Sequence, residues 1–199
     1  MKNAIQRFTI YSMSLMLCFM LAQMPRAAAQ KQDSQASISA KDKHTVAMFE
    51  KRVKDYVKLR EGVEQKMPKL SKEAMPEQIE SHKTTLQERV RARRAGAKAG
   101  QMFTPDIANF IRAIIKDEFK GGERVELRAT VFEAETQGVP LRVNYPYPET
   151  KELVEMPPTL LLRLPQLPKQ LRYRFVGRNM LLVDRENGLI VDYMTNAIP

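Results

Sequence analysis

The chain is 199 residues long and carries 33 Lys and Arg against 23 Asp and Glu, a formal net charge of +10, with a single cysteine. One cysteine excludes an internal disulfide framework, and two distant histidines, His44 and His82, are too few ligands for a tight transition-metal centre. The basic excess admits lipid phosphates, acidic polysaccharide or nucleic acid as partners and identifies none of them.

Residues 1–29 have the layout of a secretory signal peptide. Lys2 and Arg7 make a basic start, Ile10–Ala22 is an almost uncharged apolar run, and Ala27-Ala28-Ala29 offers the small residues a signal peptidase reads. The run is shorter than the roughly 20 residues needed to cross a bilayer, and the polar, proline-broken Gln23–Arg26 ends it. Cleavage between Ala29 and Gln30 and a periplasmic or secreted destination are expected. Met16 and Leu17 precede Cys18 where lipid attachment wants small residues, so a lipid anchor is not expected. Cys18 would leave with the leader, and with it the only thiol. Lys2, Arg7 and Arg26 would leave as well, and no acid, so the mature chain stays basic.

Residues 30–40 are small and polar with no apolar period, which predicts a flexible lead-in. The rest, 41–199, is expected to be one α+β domain: three N-terminal amphipathic helices over 41–121, then a mixed part over 122–199 ending in a small antiparallel β-meander at 171–194. In the first helix Val46, Phe49, Val53, Tyr56, Val63, Met67 and Leu70 recur at helical spacing, and Pro68 stops it. That stripe is compatible with self-association through 41–67 or with a hairpin onto the second helix. The second helix should start at Pro76, with Glu77 and Glu80 at its positive end and a thin stripe of Ile79, Leu86 and Val90. Its end, "RVRARRAGAKAG", is basic, and Gly96 or Gly100 can close it.

The third helix is the clearest. Thr104, Pro105 and Asp106 suit its first turn, Ile107, Phe110, Ile111, Ile114, Ile115 and Phe119 form a broad apolar face, and Gly121-Gly122 stop it. Residues 123–136 fit helix or strand, with composition leaning to helix. Val139–Tyr145 alternates as an edge strand interrupted by prolines. Pro157-Pro158 should open one helical turn before a proline-bounded leucine segment. Three strands follow at 171–176, 180–184 and 189–194, turning at Gly177-Arg178 and at Asn187-Gly188. Alternation puts Tyr173 and Phe175 on a buried face and Arg172 and Arg174 on a wet one.

The tail "PPTLLLRLPQLPKQLRYRFVGRNMLLVDRENGLIVDYMTNAIP" resembles the C-terminal end of a group of uncharacterised, signal-peptide-bearing bacterial envelope proteins. Their ends share a PP-T-LL turn, an LPxLP segment and YRxVG, LxD and IVD strands. "HKTTLQERVRARRAGAKAGQMFTPDI" is similar to their helical part, so the resemblance spans 75–199. It implies no activity, cofactor or substrate. Tyr173, Arg174, Gly177, Leu182, Val183, Asp184, Gly188 and Ile190 also give a looser likeness to the C-terminal meander of periplasmic nickel/cobalt-homeostasis proteins. The tryptophan expected beside the Tyr-Arg pair is absent, and no metal role is carried over.

No cofactor, metal or catalytic residue is assigned. The sequence holds no G-x-S-x-G, no H-E-x-x-H and no phosphate-cradling glycine loop. Asp117 and Glu118 are adjacent on a helix and point apart, which suits solvation better than paired acid–base work. The basic cluster Arg89, Arg91, Arg93, Arg94 and Lys98 is the one charge feature that suggests a contact, with anionic lipid or polysaccharide. The same residues also suit a helix C-terminus facing water. Interleaved aromatics are lacking there, which argues against specific nucleic-acid binding. The expected function is a non-enzymatic envelope protein that binds a protein partner. Association with an anionic surface through 89–98, or an unrecognised hydrolase, are the alternatives.

Overall fold

The computed structural model describes residues 39–120, 140–148, 151 and 156–198, all within the unit Ser39–Pro199. The expected signal peptide at 1–29, the expected lead-in up to residue 38, Gly121-Gly122 and the segment 123–136 lie outside the described residues. The architecture is α+β. Three helices come first, α1 (Ala40–Glu64), α2 (Pro76–Arg93) and α3 (Pro105–Glu118). A single-turn α4 (Pro158–Arg163) leads to β1 (Leu171–Val176), β2 (Asn179–Asp184) and β3 (Ile190–Met194), an antiparallel sheet in that order. Among the described residues no helix is long and apolar enough to cross a membrane.

Helix α1 starts where Ser39 Oγ accepts the Asp42 N–H at 3.0 Å, which satisfies one of the free donors of its first turn. It ends three residues earlier than Met67. The bonds Lys66 N–H to Val63 O and Met67 N–H to Glu64 O tighten the chain into a turn ahead of Pro68, and Met67 stays buried through that turn. Phe49, Val53, Tyr56, Val57 and Val63 are buried against α2 and α3, so the chain's own core occupies the stripe. Leu70, by contrast, is exposed.

The stripe of α2 is shorter than its spacing suggests. Leu86 and Val90 are fully buried, but Ile79 is 50% exposed because the first turns of α2 stand clear of the core. Gln78 caps this start by accepting the Met75 N–H at 2.8 Å. Gly96 and Gly100, both at positive φ, turn the chain from α2 towards α3. On α3, Ile107, Ala108, Ile111 and Ile115 are buried, with Phe110, Ile114 and Phe119 packed beside them. Thr104 precedes α3 as expected, yet its side chain makes no capping bond. In α4 only Leu160 faces the core; Leu161 and Leu162 point to solvent, with Leu164 buried just beyond.

The sheet is covered on both faces, which corrects the expectation of one wet side. Tyr173, Phe175, Met180, Leu182, Val191 and Met194 join the helices in the main core. Leu181, Val183 and Ile190 form a second cluster with Tyr147 and Val176, and Leu141 and Tyr193 pack on it. Arg172 and Arg174, opposite Val183 and Leu181, are only half-exposed over that second cluster, with their aliphatic stems along the apolar surface. The edge strand expected over Val139–Tyr145 does not form in its described part: 140–148 turns at 143–144 and meets the sheet only through an isolated bridge between Pro146 and Leu189, as its prolines cannot donate to a ladder. Asn144 N–H donates to Ile190 O, Ile190 N–H to Tyr145 O, and Tyr147 N–H to Gly188 O.

Both hairpins form. Gly177 takes positive φ in the two-residue turn before Asn179. The second turn is longer than an Asn-Gly pair implies. Asp184 N–H reaches Leu189 O, and the Asp184 carboxylate accepts the N–H groups of Glu186 and Asn187 inside the loop. A bulge then shifts the register, since Leu182 faces Asp192 while Val183 faces Ile190. The extra residue places Val191 and Asp192 both on the helix side of the sheet. Strict alternation would have turned Asp192 away.

Candidate functional site

Asp184 and Asp192 are fully buried, and a buried carboxylate persists only where donors replace its water. Asp184 closes the end of β2. Its Oδ2 accepts the Tyr56 hydroxyl at 2.7 Å and the Arg60 Nε at 3.0 Å, both from α1. Asp192, re-aimed by the bulge, takes the loop between α2 and α3. Its Oδ1 accepts the Gly100 N–H at 2.9 Å, and its Oδ2 accepts those of Met102 and Phe103 at 2.6 and 2.9 Å. One aspartate therefore fastens the sheet to α1, and the other fastens it to the α2–α3 loop.

Two buried arginines complete this network. Arg60 spreads its fork over three carboxylates: Asp184, Glu64 at 2.6 Å and Glu186. Burial opposes its charge, but these acids outweigh burial and hold its pKa up. Arg94 lies with its Cζ 5.0 Å from the centre of the Tyr56 ring and donates to Val191 O at 2.9 Å. Burial lowers its pKa, with Tyr56 and Asp192 acting the other way. Burial, and next the charge of Asp184, raise the Tyr56 phenol well above its ordinary value. The hydroxyl stays protonated and donates to Asp184.

The sequence signal for both arginines was position in a stripe. Arg60 is four residues after Tyr56 and three before Val63; Arg94 is four after Val90 and eight after Leu86. A charge on an apolar stripe marks a buried polar contact, here ion pairs at Arg60 and a bond to the Val191 carbonyl at Arg94.

The basic cluster is dispersed by the same helix geometry. At about 100° per residue, Arg89 and Arg93 share one side of α2, Arg94 falls on the buried side, and Arg91 turns to a third. Arg94 is 8% exposed and so is withdrawn from any surface contact. Arg89, Arg93 and Lys98 are exposed and Arg91 is half-buried; Arg89 reaches Lys66 O at 3.4 Å. Asp117 and Glu118 are not simply solvated. Arg163 binds both, at 2.6 and 2.8 Å, and ties α4 to the end of α3. His44 is exposed on α1 and His82 half-buried on α2. Among the described residues no three His, Cys, Asp or Glu side chains converge as a metal site requires.

Arg91 gains neighbours that the sequence did not place beside it. Arg142–Tyr145 is a turn in which the Tyr145 N–H donates to Arg142 O and Asn144 takes φ 66°, the positive angle its third position requires. Asn144 Nδ2 donates to Arg91 O at 3.0 Å and to Arg94 O at 3.3 Å, a side-chain cap on the end of α2 added to the backbone bonds these carbonyls accept from Arg94 and Ala97. That cap sets the Tyr145 ring beside α2. The Arg91 Cζ lies 4.3 Å and the Arg142 Cζ 4.0 Å from the ring centre. A groove of about 420 Å³ opens here, lined by Glu88, Arg91, Ala92, Ala95, Gly96, Ala97, Val143, Asn144 and Tyr145. A second, of about 400 Å³, lies over Arg60 between Glu64, Lys169, Gln170, Arg185 and Glu186.

Compared with known proteins, the chain matches no protein-family model, no curated protein and no solved structure.

Proposed function

We propose that the protein is an exported, non-enzymatic envelope protein that acts by binding a partner. One observation carries this reading: the fully buried acids already serve the fold. Asp184 and Asp192 accept from Tyr56, Arg60 and the backbone of two loops, which leaves neither placed for general acid–base work. The recognisable LxD and IVD strands of the tail thereby gain a structural explanation, in line with the resemblance to envelope proteins of no assigned activity. Export is supported by the layout of residues 1–29. A cut between Ala29 and Gln30 would leave every described element in the mature chain.

The test is chemical cross-linking in intact cells, followed by capture from the envelope fraction and mass spectrometry of the N-terminus. A mature chain beginning at Gln30 and one stoichiometric partner are expected. Turnover of a generic ester, phosphoester or peptide, lost in a folded Asp184→Asn variant, would overturn the non-enzymatic reading.

A second reading, association with anionic lipid or polysaccharide, is favoured by Arg89, Arg91, Arg93 and Lys98. None of them has a carboxylate partner among the described residues. Near-surface basic charges contribute about 1 kcal/mol each at an anionic membrane. Salt-sensitive binding to anionic vesicles, weakened by Arg91→Ala and Arg93→Ala, is its signature.

A further inference from the structure

We infer that the tip joining α1 to α2, residues 66–79, docks on an anionic phospholipid surface, with Leu70, Met75 and Ile79 entering the interface and Lys66, Lys69 and Lys72 meeting the headgroups. The inference deepens the anionic-surface reading, on which it rests, by moving the contact from the basic end of α2 to its opposite end.

The first support is an apolar trio left in water. Leu70 is 41%, Met75 61% and Ile79 50% exposed. Backbone bonds gather them. Ala74 N–H donates to Ser71 O, closing a turn that Leu70 and Met75 flank directly, and Ile79 N–H donates to Met75 O one helical turn further on. Met75 and Ile79 therefore share one side of the start of α2. Single exposed apolar side chains are ordinary on a protein surface, whereas three gathered at one tip form a patch. The tip is also held at both ends. Met67 is buried before it, Leu86 and Val90 are fully buried after it, and Arg89 Nη1 donates to Lys66 O.

Charge selects the occupant. Lys66, Lys69 and Lys72 are exposed and form no ion pair among the described residues. The one acid within 65–76 is Glu73, whose carboxylate accepts the Ser71 hydroxyl at 2.5 Å. Glu80 is bound to Lys83, and at about 100° per residue Glu77 lies across α2 from Ile79. Apolar side chains flanked by unpaired lysines suit a bilayer interface. The lysine stems lie along the apolar boundary while their ammonium groups reach the phosphates. Protein interfaces, by contrast, are depleted in lysine.

A second exposed apolar pair supplies the contrast. Leu161 and Leu162 sit beside Arg163, which Asp117 and Glu118 already bind. The cation there is neutralised, and acids at that place repel an anionic surface.

The sequence contains no tryptophan, so Leu70→Trp and Leu162→Trp each install a single reporter at an exposed position. The protein purified from the envelope fraction is mixed with phosphatidylcholine vesicles, with and without phosphatidylglycerol. Tryptophan emission and sedimentation are then followed.

With phosphatidylglycerol present, the Leu70→Trp emission should shift to the blue and escape iodide quenching, while that of Leu162→Trp stays as in water. Replacing Lys66, Lys69 and Lys72 with Gln should weaken sedimentation by about fivefold per charge at low salt. Leu70→Ser with Met75→Ser should weaken it by about tenfold. All five side chains are exposed, so these variants should keep the wild-type urea midpoint. Sedimentation that depends on Arg89 and Arg93, with the Leu70→Trp emission unchanged, would overturn the tip while leaving the diffuse anionic reading intact. A blue shift that grows with protein concentration in the absence of vesicles would place a second copy on the tip and overturn the proposal. Absence of sedimentation with either vesicle would overturn both.

Discussion

Two arginine-rich regions lie a few residues apart on α2 and behave in opposite ways. Arg94 points inward to Val191 O and the Tyr56 ring, in a core where Asp184 and Asp192 supply the counter-charge. Arg91 points outward to the Tyr145 ring, which Arg142 also contacts, and it makes no ion pair among the described residues, although Glu88 lines the same groove. The inner region is enclosed: Arg60 is paired with three carboxylates, and Arg94 is held by Val191 O and the Tyr56 ring without an ion pair of its own. The outer region is held in place by stacking and a backbone turn. What separates the two arginines here is burial: Arg94 is enclosed under the Tyr56 ring, whereas Arg91 stacks on a ring at the surface.

The sharpest way to break the inner region is Asp192→Ala. The N–H groups of Gly100, Met102 and Phe103 would lose their acceptor, and Arg94 would lose a nearby compensating charge. Breaking a buried charged network by removing one partner costs about 3–5 kcal/mol. Urea unfolding should show that loss with little change in slope.

Tyr56 gives the inner region a pH signature. Burial and Asp184 raise its pKa, and burial, then Glu50, raise that of Tyr173. In the unfolded chain both phenols ionise near 10, whereas the fold keeps them protonated above that. Their contribution to stability is thus complete below about pH 10 and falls as pH rises beyond it, by up to about 1.4 kcal/mol per pH unit for each tyrosine. Tyr56→Phe should cost about 1 kcal/mol at neutral pH and flatten the alkaline slope. Unfolding at several alkaline pH values, with tyrosinate absorbance as a second probe, checks both.

Asn144→Gly should have the smallest effect on stability and the clearest on the comparison. Glycine accepts the positive φ but cannot cap Arg91 O and Arg94 O, a loss of about 1 kcal/mol. Freed of that cap, the turn should release Tyr145 from Arg91. The Arg91 side-chain resonance should broaden while that of Arg94 stays sharp. Equal broadening of both would mean that the two regions are not independent.

The third helix and the meander were legible in the sequence because their signals are local. The isoleucine face of α3, the glycine at positive φ in the first hairpin and the alternation of Tyr173 and Phe175 need only neighbouring residues to be read. The stripes of α1 and α2 were legible too, but were read only in their apolar members. Arg60 and Arg94 occupy stripe positions, yet a charge there reads as surface until its acid is known. Asp184 and Asp192 lie far along the chain, and alternation alone would have turned Asp192 outward.

By itself, then, the sequence determined the α+β order of elements, the two hairpins and most of the hydrophobic core, since periodicity and turn chemistry act over a few residues. Tertiary structure alone decided which arginines are buried, that the sheet is covered on both faces, and that Arg91, Arg142 and Tyr145 meet. Those outcomes depend on a one-residue bulge and on a side-chain cap from a distant turn, neither of which has a local signature.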